Sequence, residues 1–234
     1  MVKQDKTNVN TDLEHYLKSG RQFGDGEKFY LLGFEAALHA RNRCKEFDQI
    51  ASEMAADLEE LQRQGKVRWI GVSNFTVQQL RRAQYVASVT SLQPRYSLVH
   101  REVEDQVLPY CSRENIGVIV YSPMASGLLT GAMTRERAAK LSKDDWRRTH
   151  PDFTEPNLSR NLALVEHLHQ IARRHNRSAG EVAIAWTLHN AAVTGAIVGA
   201  RNEQQAEGVM RAGELRLTDQ DVSEIDSFVG ETAA

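Results

Sequence analysis

Polar, small or aromatic residues directly follow four apolar runs of the sequence, and their types suit ligand binding. The four segments are Ser73-Asn74-Phe75, Gln93-Pro94, Tyr121-Ser122-Pro123-Met124 and Gly199-Ala200-Arg201-Asn202. Amides, hydroxyls and an aromatic ring suit a flat ligand that forms hydrogen bonds. If the apolar runs are parallel strands, their carboxyl ends bring these residues to the edge where such folds bind ligands. The alternative for any single segment is a turn or a helix cap, because Ser, Asn and Gly favour both.

The elements that must position these residues alternate between short apolar runs and amphipathic stretches. We predict strands at 67–72, 89–94, 116–121 and 193–198. The third run, IGVIVY, is nearly all β-branched or aromatic, which is typical of a strand covered on both faces. Helices are predicted at 47–64, 76–85, 102–114, 158–175, 178–189, 202–212 and 218–228, and the charged stretch 126–156 favours a loop with one short helix. Thr76 with Gln79 and Ser178 with Glu181 have the spacing of capping boxes, which open two of these helices.

Alternating strands and helices predict an α/β fold with βα units and a parallel sheet. A complete (β/α)8 barrel typically has about 250 residues, so the length of the chain alone would permit one. The four strands predicted after residue 66 are only half of the eight strands that such a barrel needs. We therefore expect a TIM-barrel type that is incomplete, with the later strands and helices present.

Residues 1–45 differ from the rest because they are polar and poorly periodic. An apolar run at 29–38 fits either a strand or a short helix. We expect an atypical, partly disordered N-terminal segment at 1–45, followed by the barrel portion at 46–234.

Composition excludes several functional classes. The 234 residues carry a formal net charge of −2, which argues against a general nucleic-acid binder. No apolar run approaches the length of a membrane span, and the first residues lack the apolar core of a signal peptide. Two cysteines, Cys44 and Cys111, make neither a disulfide framework nor a cysteine zinc site. We expect a cytoplasmic globular protein that binds neither nucleic acid nor membrane.

Three histidines share one predicted helix at 158–175. His167 and His169 are two residues apart, so with His175 they form no i, i+4 metal pair. We predict a solvated helix face here, and no metal site.

Five ordered motifs give the sequence a recognisable pattern. The stretch 65–75, GKVRWIGVSNF, resembles a signature of the aldo-keto reductase family, and the resemblance spans about residues 47–228. The other four motifs, in matching order and spacing, are at 93–98, 121–124, 180–186 and 199–205.

The resemblance implies a (β/α)8 barrel that binds NADP(H) without a glycine-rich Rossmann loop. It implies that Ser73, Asn74 and Gln93 hold the nicotinamide carboxamide and that Tyr121 stacks on the nicotinamide ring. The implied cofactor-binding set is Ser73, Asn74, Gln93, Tyr121, Ser122, Met124, Gly127, Leu128, Gly199, Arg201, Asn202 and Gln205.

Within that set, the resemblance places Ser122, Met124, Gly127 and Leu128 along the pyrophosphate path. It places Arg201, Asn202 and Gln205 at the adenosine 2′-phosphate. This agrees with the fork of donors that Arg offers a phosphate and with the preference of a helix start for an anion. For Arg201 alone, the alternative is a solvated surface residue.

The sequence departs from the family in two places. Gly208 and Val209 stand where the family commonly places a Glu-Asn pair against the adenine. The family's catalytic Asp, Tyr, Lys and His come from the first half of the barrel, and its Asp-x-x-x-x-Tyr signature is not found. Asp12 and Tyr16 are four residues apart instead of five. His39 is a candidate for the family histidine, with an ordinary, partly exposed histidine as the alternative.

The resemblance implies an NADP(H)-dependent oxidoreductase that reduces an aldehyde or ketone by hydride transfer. The alternative is a non-catalytic NADP(H)-binding or interaction protein, or an inactive, truncated member of the family. An incomplete barrel leaves two sheet edges unpaired, so we also expect self-association that covers them.

Overall fold

The computed structural model describes residues 47–233, and the statements below concern those residues. The chain divides into two compact units, Met1–Met54 and Ala55–Ala234. Of the first unit, the structure describes only the beginning of one helix. The site and the sheet belong to the second unit.

Helices and strands alternate as expected. All four predicted strands are present, each within three residues of its predicted bounds at either end. The elements are α1 (Phe47–Arg63), β1 (Ile70–Ser73), α2 (Val77–Gln84), β2 (Val89–Gln93), α3 (Val107–Arg113), β3 (Gly117–Tyr121), α4 (Arg135–Ala139), α5 (Asn157–His175), α6 (Ala179–His189), β4 (Val193–Ile197), α7 (Glu203–Met210) and α8 (Asp219–Ala233).

Three predicted segments are more broken than expected. The helix predicted at 102–114 is a 3₁₀ turn, Glu102–Glu104, followed by α3, and the one at 202–212 is α7 followed by a 3₁₀ turn. The stretch predicted as a loop with one short helix holds α4 and three 3₁₀ turns, at Ala125–Thr130, Trp146–Arg148 and Pro151–Phe153.

Local sequence explains where the helices begin and end. Thr76 with Gln79 and Ser178 with Glu181 form the two predicted capping boxes, which open α2 and α6. After α1, Gly65 takes a left-handed conformation with φ of 70°, which glycine adopts without a Cβ penalty.

The sheet is parallel, and within the described residues its spatial order is β1-β2-β3-β4. One face packs against helices. Leu92, Val118 and Val120 are fully buried on this face and belong to the main hydrophobic core. Helix α6 packs beside them, and the ring of its Trp186 lies 5.2 Å from the ring of Tyr96, tilted by 37°.

The other face of the sheet corrects one prediction. IGVIVY was expected to be covered on both faces, but Ile119 is 39% exposed, and Ile197 on β4 is 43% exposed. The described helices cover only the face that carries Val118 and Val120. The composition of β3 is typical of a strand that is covered by apolar residues on both faces. The described residues cover only one of these faces.

The histidines of α5 do not form a solvated face, so that prediction was wrong. His167 stacks on Phe228 of α8 at 4.8 Å, and a His175 ring nitrogen lies 2.8 Å from a carboxylate oxygen of Asp221. All three are partly buried, because α8 and the turn at Gly131 pack against this side of α5. Spacing within one helix cannot reveal such packing. None of the described helices is long and apolar enough to cross a membrane.

Candidate functional site

The carboxyl ends of the strands lie at one edge of the sheet because all four strands run in the same direction. At this edge, Ser73 Oγ donates a hydrogen bond to the Gln93 carbonyl at 2.8 Å. The Asn74 backbone N–H donates to the same carbonyl at 3.1 Å. The Tyr121 hydroxyl donates to Asn74 Oδ1 at 3.1 Å. The structure thus brings together four residues predicted for the nicotinamide end of the site.

The backbone is unusual where the chain leaves β1 and β3. Asn74 and Ser122 both have φ of 58°, and Ala125, Ser126 and Gly127 follow with φ of 47°, 55° and 91°. The left-handed region costs a residue other than glycine of order 1–3 kcal/mol, so surrounding contacts must hold it. Such strained positions cluster at ligand sites, and here they coincide with strand ends predicted to bind.

A cavity of about 730 Å³ opens beside these strand ends. This volume falls in the range of small-molecule and cofactor sites. Seven of the predicted cofactor-binding residues line it, namely Tyr121, Ser122, Met124, Gly127, Gly199, Arg201 and Gln205.

Five predicted residues do not line the cavity. Ser73, Asn74 and Gln93 are exposed at the neighbouring strand ends. The hydrogen bond from Tyr121 to Asn74 connects them to the cavity. The side chain of Leu128 is fully buried in the core, because the 3₁₀ turn that carries it packs on α5 and α6. This corrects the expectation that its side chain lines the pyrophosphate path.

Asn202 caps a helix, which was the alternative for this segment. Its Oδ1 accepts a hydrogen bond from the Gln205 backbone N–H at 2.9 Å, at the start of α7. The Gln205 side chain turns back and accepts from the Arg201 backbone N–H at 3.0 Å. These two bonds fix the turn that presents Arg201 at the cavity.

Cationic side chains and a helix start give the cavity its electrostatic character. Arg201 is exposed at the lining, and α7 begins two residues later. Arg137 and Arg147 line another part of the wall. Arg147 donates through Nε and Nη2 to Asp145 at 3.0 and 2.6 Å, and this lowers the pKa of Asp145 to about 2. The arrangement suits an anionic ligand such as a phosphate.

Several lining residues were not predicted as site residues. Ser178, Gly180 and Glu181 reach the cavity from the start of α6. The capping box predicted there was a usable signal, because a helix start is a common place for a ligand. Arg137 and Arg147 come from the long segment between β3 and α5, and no local pattern indicates where such a segment folds back.

Gly208 and Val209, the departures from the family pattern, also line the cavity. Glu181 lines the same cavity and is 6% exposed. Its Oε2 accepts from the backbone N–H and Oγ of Ser178, both at 2.8 Å, and its Oε1 lies 3.7 Å from Nε of Arg177 and of Arg211.

Some candidates cannot be placed. His39, Asp12, Tyr16 and Cys44 lie outside the described residues, as does the N-terminal segment 1–45. Within the described part of the chain, no three His, Cys, Asp or Glu side chains come together as metal ligands do. Cys111 is fully buried, and burial raises the pKa of its thiol to about 11.

Comparison with known proteins identifies the family. The Aldo/keto reductase family matches residues 27–229, so the match begins well before the resemblance at 47–228 and takes in the apolar run at 29–38. The chain belongs to this family of oxidoreductases. Its fold is correspondingly of the (β/α)8 barrel type, with a parallel sheet that holds four strands in the described residues.

Two curated relatives are similar over most of this chain. Aldo-keto reductase YhdN of Bacillus subtilis (strain 168) is 34% identical over 181 residues, which make up 77% of this chain and 54% of that protein. Probable aldo-keto reductase 1 of Glycine max is 28% identical over 173 residues, 74% of this chain and 49% of that protein. The chain thus spans about half the length of these relatives.

Solved structures agree. The glycerol dehydrogenase AKR11B4 from Gluconobacter oxydans superposes with a TM-score of 0.73 at 33% identity, over 78% of this chain and 55% of that one. The thermostable aldo-keto reductase Tm1743, in complex with the inhibitor epalrestat, has a TM-score of 0.56 at 23% identity, covering 80% and 56%. The second likeness supports the fold alone.

Proposed function

We propose that this chain forms the NADP(H)-binding portion of an aldo-keto reductase, an oxidoreductase that interconverts a small carbonyl compound and its alcohol. The observation that carries the proposal is the cavity at the strand ends, with an aromatic residue, Tyr121, at one part of its wall and Arg201 at another. A nicotinamide dinucleotide phosphate requires a flat group that stacks on its ring and a group that binds its phosphate. Tyr121 would meet the first requirement and Arg201 the second.

The residues present fit the group from end to end. Tyr121 would stack on the nicotinamide ring, with Ser73, Asn74 and Gln93 around the carboxamide. The turn from Ser122 to Gly127 would hold the pyrophosphate. Gly199, Arg201, Asn202 and Gln205 would form the 2′-phosphate end, Asn202 by capping α7 and Gln205 by holding the backbone of Arg201.

The adenine end departs from the family and still has room. Gly208 has no heavy atom within 4 Å of where a Cβ would stand, so the wall is open at this position. We propose that the adenine packs there on small residues, without the Glu-Asn pair.

NADP(H), when bound, supplies or accepts the hydride of the reaction. The described residues would orient the cofactor. The hydrogen bond from the Tyr121 hydroxyl to Asn74 restrains the tyrosine ring. Stacked on one face of the nicotinamide, this ring would leave the other face exposed. The general acid of the family comes from the first half of the barrel. Turnover by this chain therefore depends on groups outside residues 47–233, and general acid catalysis typically contributes about 10²–10⁴-fold to the rate.

The test is a fluorescence titration of the full chain with NADPH, and with NADH as the control ligand. We expect saturable binding that favours NADPH. Arg201→Ala should weaken NADPH by about 10-fold or more while leaving NADH nearly unchanged, since a charge-assisted hydrogen bond to a phosphate is worth about 1.5–3 kcal/mol. Equal weakening of both cofactors would overturn the 2′-phosphate assignment.

Arg173→Ala provides the matched control, because Arg173 is an exposed arginine on α5 that does not line the cavity. It should change neither affinity. A reduction assay with small aldehydes and ketones, and oxidation of glycerol because one solved relative is a glycerol dehydrogenase, then separates an active enzyme from a chain that binds NADP(H) without turnover.

A further inference from the structure

The arginines that line the cavity differ in how their charge is compensated. Arg147 donates through both Nε and Nη2 to Asp145, so a carboxylate already balances its charge. Arg201 is exposed at the end of the cavity proposed for the 2′-phosphate. Arg137 is exposed as well, and no carboxylate of the described residues lies within ion-pair distance of it. Its charge is therefore available to a ligand in the cavity.

The backbone that carries Arg137 is anchored on the core. Thr134 opens α4, and its Oγ1 accepts a hydrogen bond from the Arg137 backbone N–H at 3.1 Å. Met133 and Ala138, on either side of this helix start, are both buried and belong to the hydrophobic core. The cap and the core thus hold the backbone while the arginine side chain stays at the cavity. A side chain on a fixed element is a better binding group than one on a loose loop, because less freedom is lost on binding.

A series of hydrogen bonds connects Arg137 to the turn at 122–127, which is proposed to hold the pyrophosphate. Arg137 Nη1 donates to the Ala132 carbonyl at 2.9 Å. The Ala132 backbone N–H donates to Thr130 Oγ1 at 3.2 Å, and that hydroxyl donates to the Gly127 carbonyl at 2.8 Å. The guanidinium is therefore tied to the segment of the wall where the pyrophosphate would lie.

The turn itself offers a pyrophosphate only neutral donors. Its sequence, SPMASG, has two hydroxyls and its backbone N–H groups but no charged side chain. A pyrophosphate is anionic at neutral pH, and a charge-assisted hydrogen bond is roughly twice as strong as a neutral one. The bond to Ala132 uses Nη1 of Arg137, and no contact within the described residues uses its Nε or Nη2. Those two nitrogens form the edge of the guanidinium that suits a forked contact with phosphate oxygens.

We propose that Arg137 binds the pyrophosphate of the nicotinamide dinucleotide. This role rests on the proposed function, because it concerns the same cofactor. The pyrophosphate is common to NADPH and NADH, whereas the 2′-phosphate belongs to NADPH alone. Arg137 therefore contributes to the affinity for both dinucleotides, while Arg201 determines the preference between them.

Fluorescence titration of the full chain with NADPH and with NADH tests this role. Arg137→Ala should weaken both dinucleotides by the same factor, about 10-fold or more, and leave the preference for NADPH unchanged. Arg135→Ala is the matched control. Arg135 is an exposed arginine of the same helix that pairs with Glu155 and does not line the cavity. Its removal should change neither affinity.

Two further variants separate the charge of Arg137 from its bond to the Ala132 carbonyl. Arg137→Lys and Arg137→Gln both keep a group that can donate to a carbonyl, but only the lysine keeps the charge. We expect Arg137→Lys to retain part of the affinity for both dinucleotides and Arg137→Gln to bind as weakly as Arg137→Ala. Equal affinities for the lysine and glutamine variants would overturn the proposal, because the side chain would then act by holding the loop.

The pattern across the two dinucleotides distinguishes the remaining outcomes. A loss confined to NADPH in Arg137→Ala would place Arg137 at the 2′-phosphate and overturn its assignment to the pyrophosphate. Unchanged binding of both dinucleotides by Arg137→Ala, with wild type binding them, would contradict the role of Arg137 alone. A folded wild-type chain that binds neither dinucleotide would refute the proposed function, and the role of Arg137 with it.

Discussion

Tyr121 is held at the end of β3 by residues that follow β1 and β2. Its backbone N–H donates to the Pro94 carbonyl at 3.0 Å, and its carbonyl accepts from the Tyr96 N–H at 3.3 Å. Its hydroxyl meanwhile donates to Asn74. The ring is therefore placed against the cavity by contacts from two neighbouring strand ends and would lose little freedom on stacking.

This arrangement leads to a prediction for Tyr121. Tyr121→Ser should weaken NADPH binding by about 10-fold or more, because stacking of a base on an aromatic ring is worth about 1–3 kcal/mol. Tyr121→Phe keeps the ring, loses only the hydrogen bond to Asn74, and serves as the control with nearly unchanged affinity. Fluorescence titration measures both, and an unaltered affinity in Tyr121→Ser would remove the stacking role.

Individual residues also show where sequence reasoning succeeds. Thr76 with Gln79 and Ser178 with Glu181 were predicted as capping boxes because the pattern and its partners lie within four residues. Leu128 was misplaced because its direction depends on a kinked 3₁₀ turn with positive φ at Ser126 and Gly127. Arg147 was missed because it reaches the cavity through folding of a long connection.

At the scale of elements, α5 and α8 are fastened to each other by a carboxylate. Asp221 is buried, and burial alone would raise its pKa. Hydrogen bonds from Arg174 at 2.6 Å, from Thr218 and with His175 outweigh burial and hold the pKa of Asp221 well below its ordinary value. Asp221 thus stays ionised and keeps the two helices together.

Asp221 should make the stability depend on pH. A carboxyl whose pKa is lower in the folded state contributes stability above its unfolded pKa of about 3.9 and loses it as pH falls through the folded pKa. We expect Asp221→Asn to lower the free energy of unfolding by about 1–3 kcal/mol at pH 7. The loss should shrink as the pH approaches and passes below about 4.

Urea unfolding of wild type and variant between neutral and acidic pH measures this difference. Asp219→Asn, an exposed position on the same helix, is the control and should follow wild type. A gap between wild type and Asp221→Asn that stays constant at every pH would contradict the role of the ionised carboxylate.

Elements as such were well predicted. Strands β1 to β4 follow from short apolar runs, α5 from its apolar periodicity, and α6 from the capping box at its start. What covers a strand was not predicted. IGVIVY has the composition of a barrel strand, but that composition does not say which other strands the chain contains. The exposure of Ile119 could be found only from the assembled sheet.

At the scale of the whole molecule, the self-association expected from the sequence would link stability to protein concentration. If copies of the chain associate through unpaired sheet edges, the unfolding equilibrium includes protein concentration, and the associated form gains stability by mass action. We therefore expect the midpoint of thermal unfolding, Tm, to rise as the full chain is concentrated. Calorimetry at several concentrations measures it, and a Tm independent of concentration would indicate that each chain folds alone.

The order of the strands also affects how the chain folds during its synthesis. Because β1, β2 and β3 are neighbours both along the chain and in the sheet, each can pair as soon as its successor leaves the ribosome. Strand β4 arrives only after the long connection that carries α4, α5 and α6. We expect the nascent chain to form a three-stranded intermediate during synthesis. Until β4 is synthesised, the edge of β3 stays unpaired and accessible to chaperones.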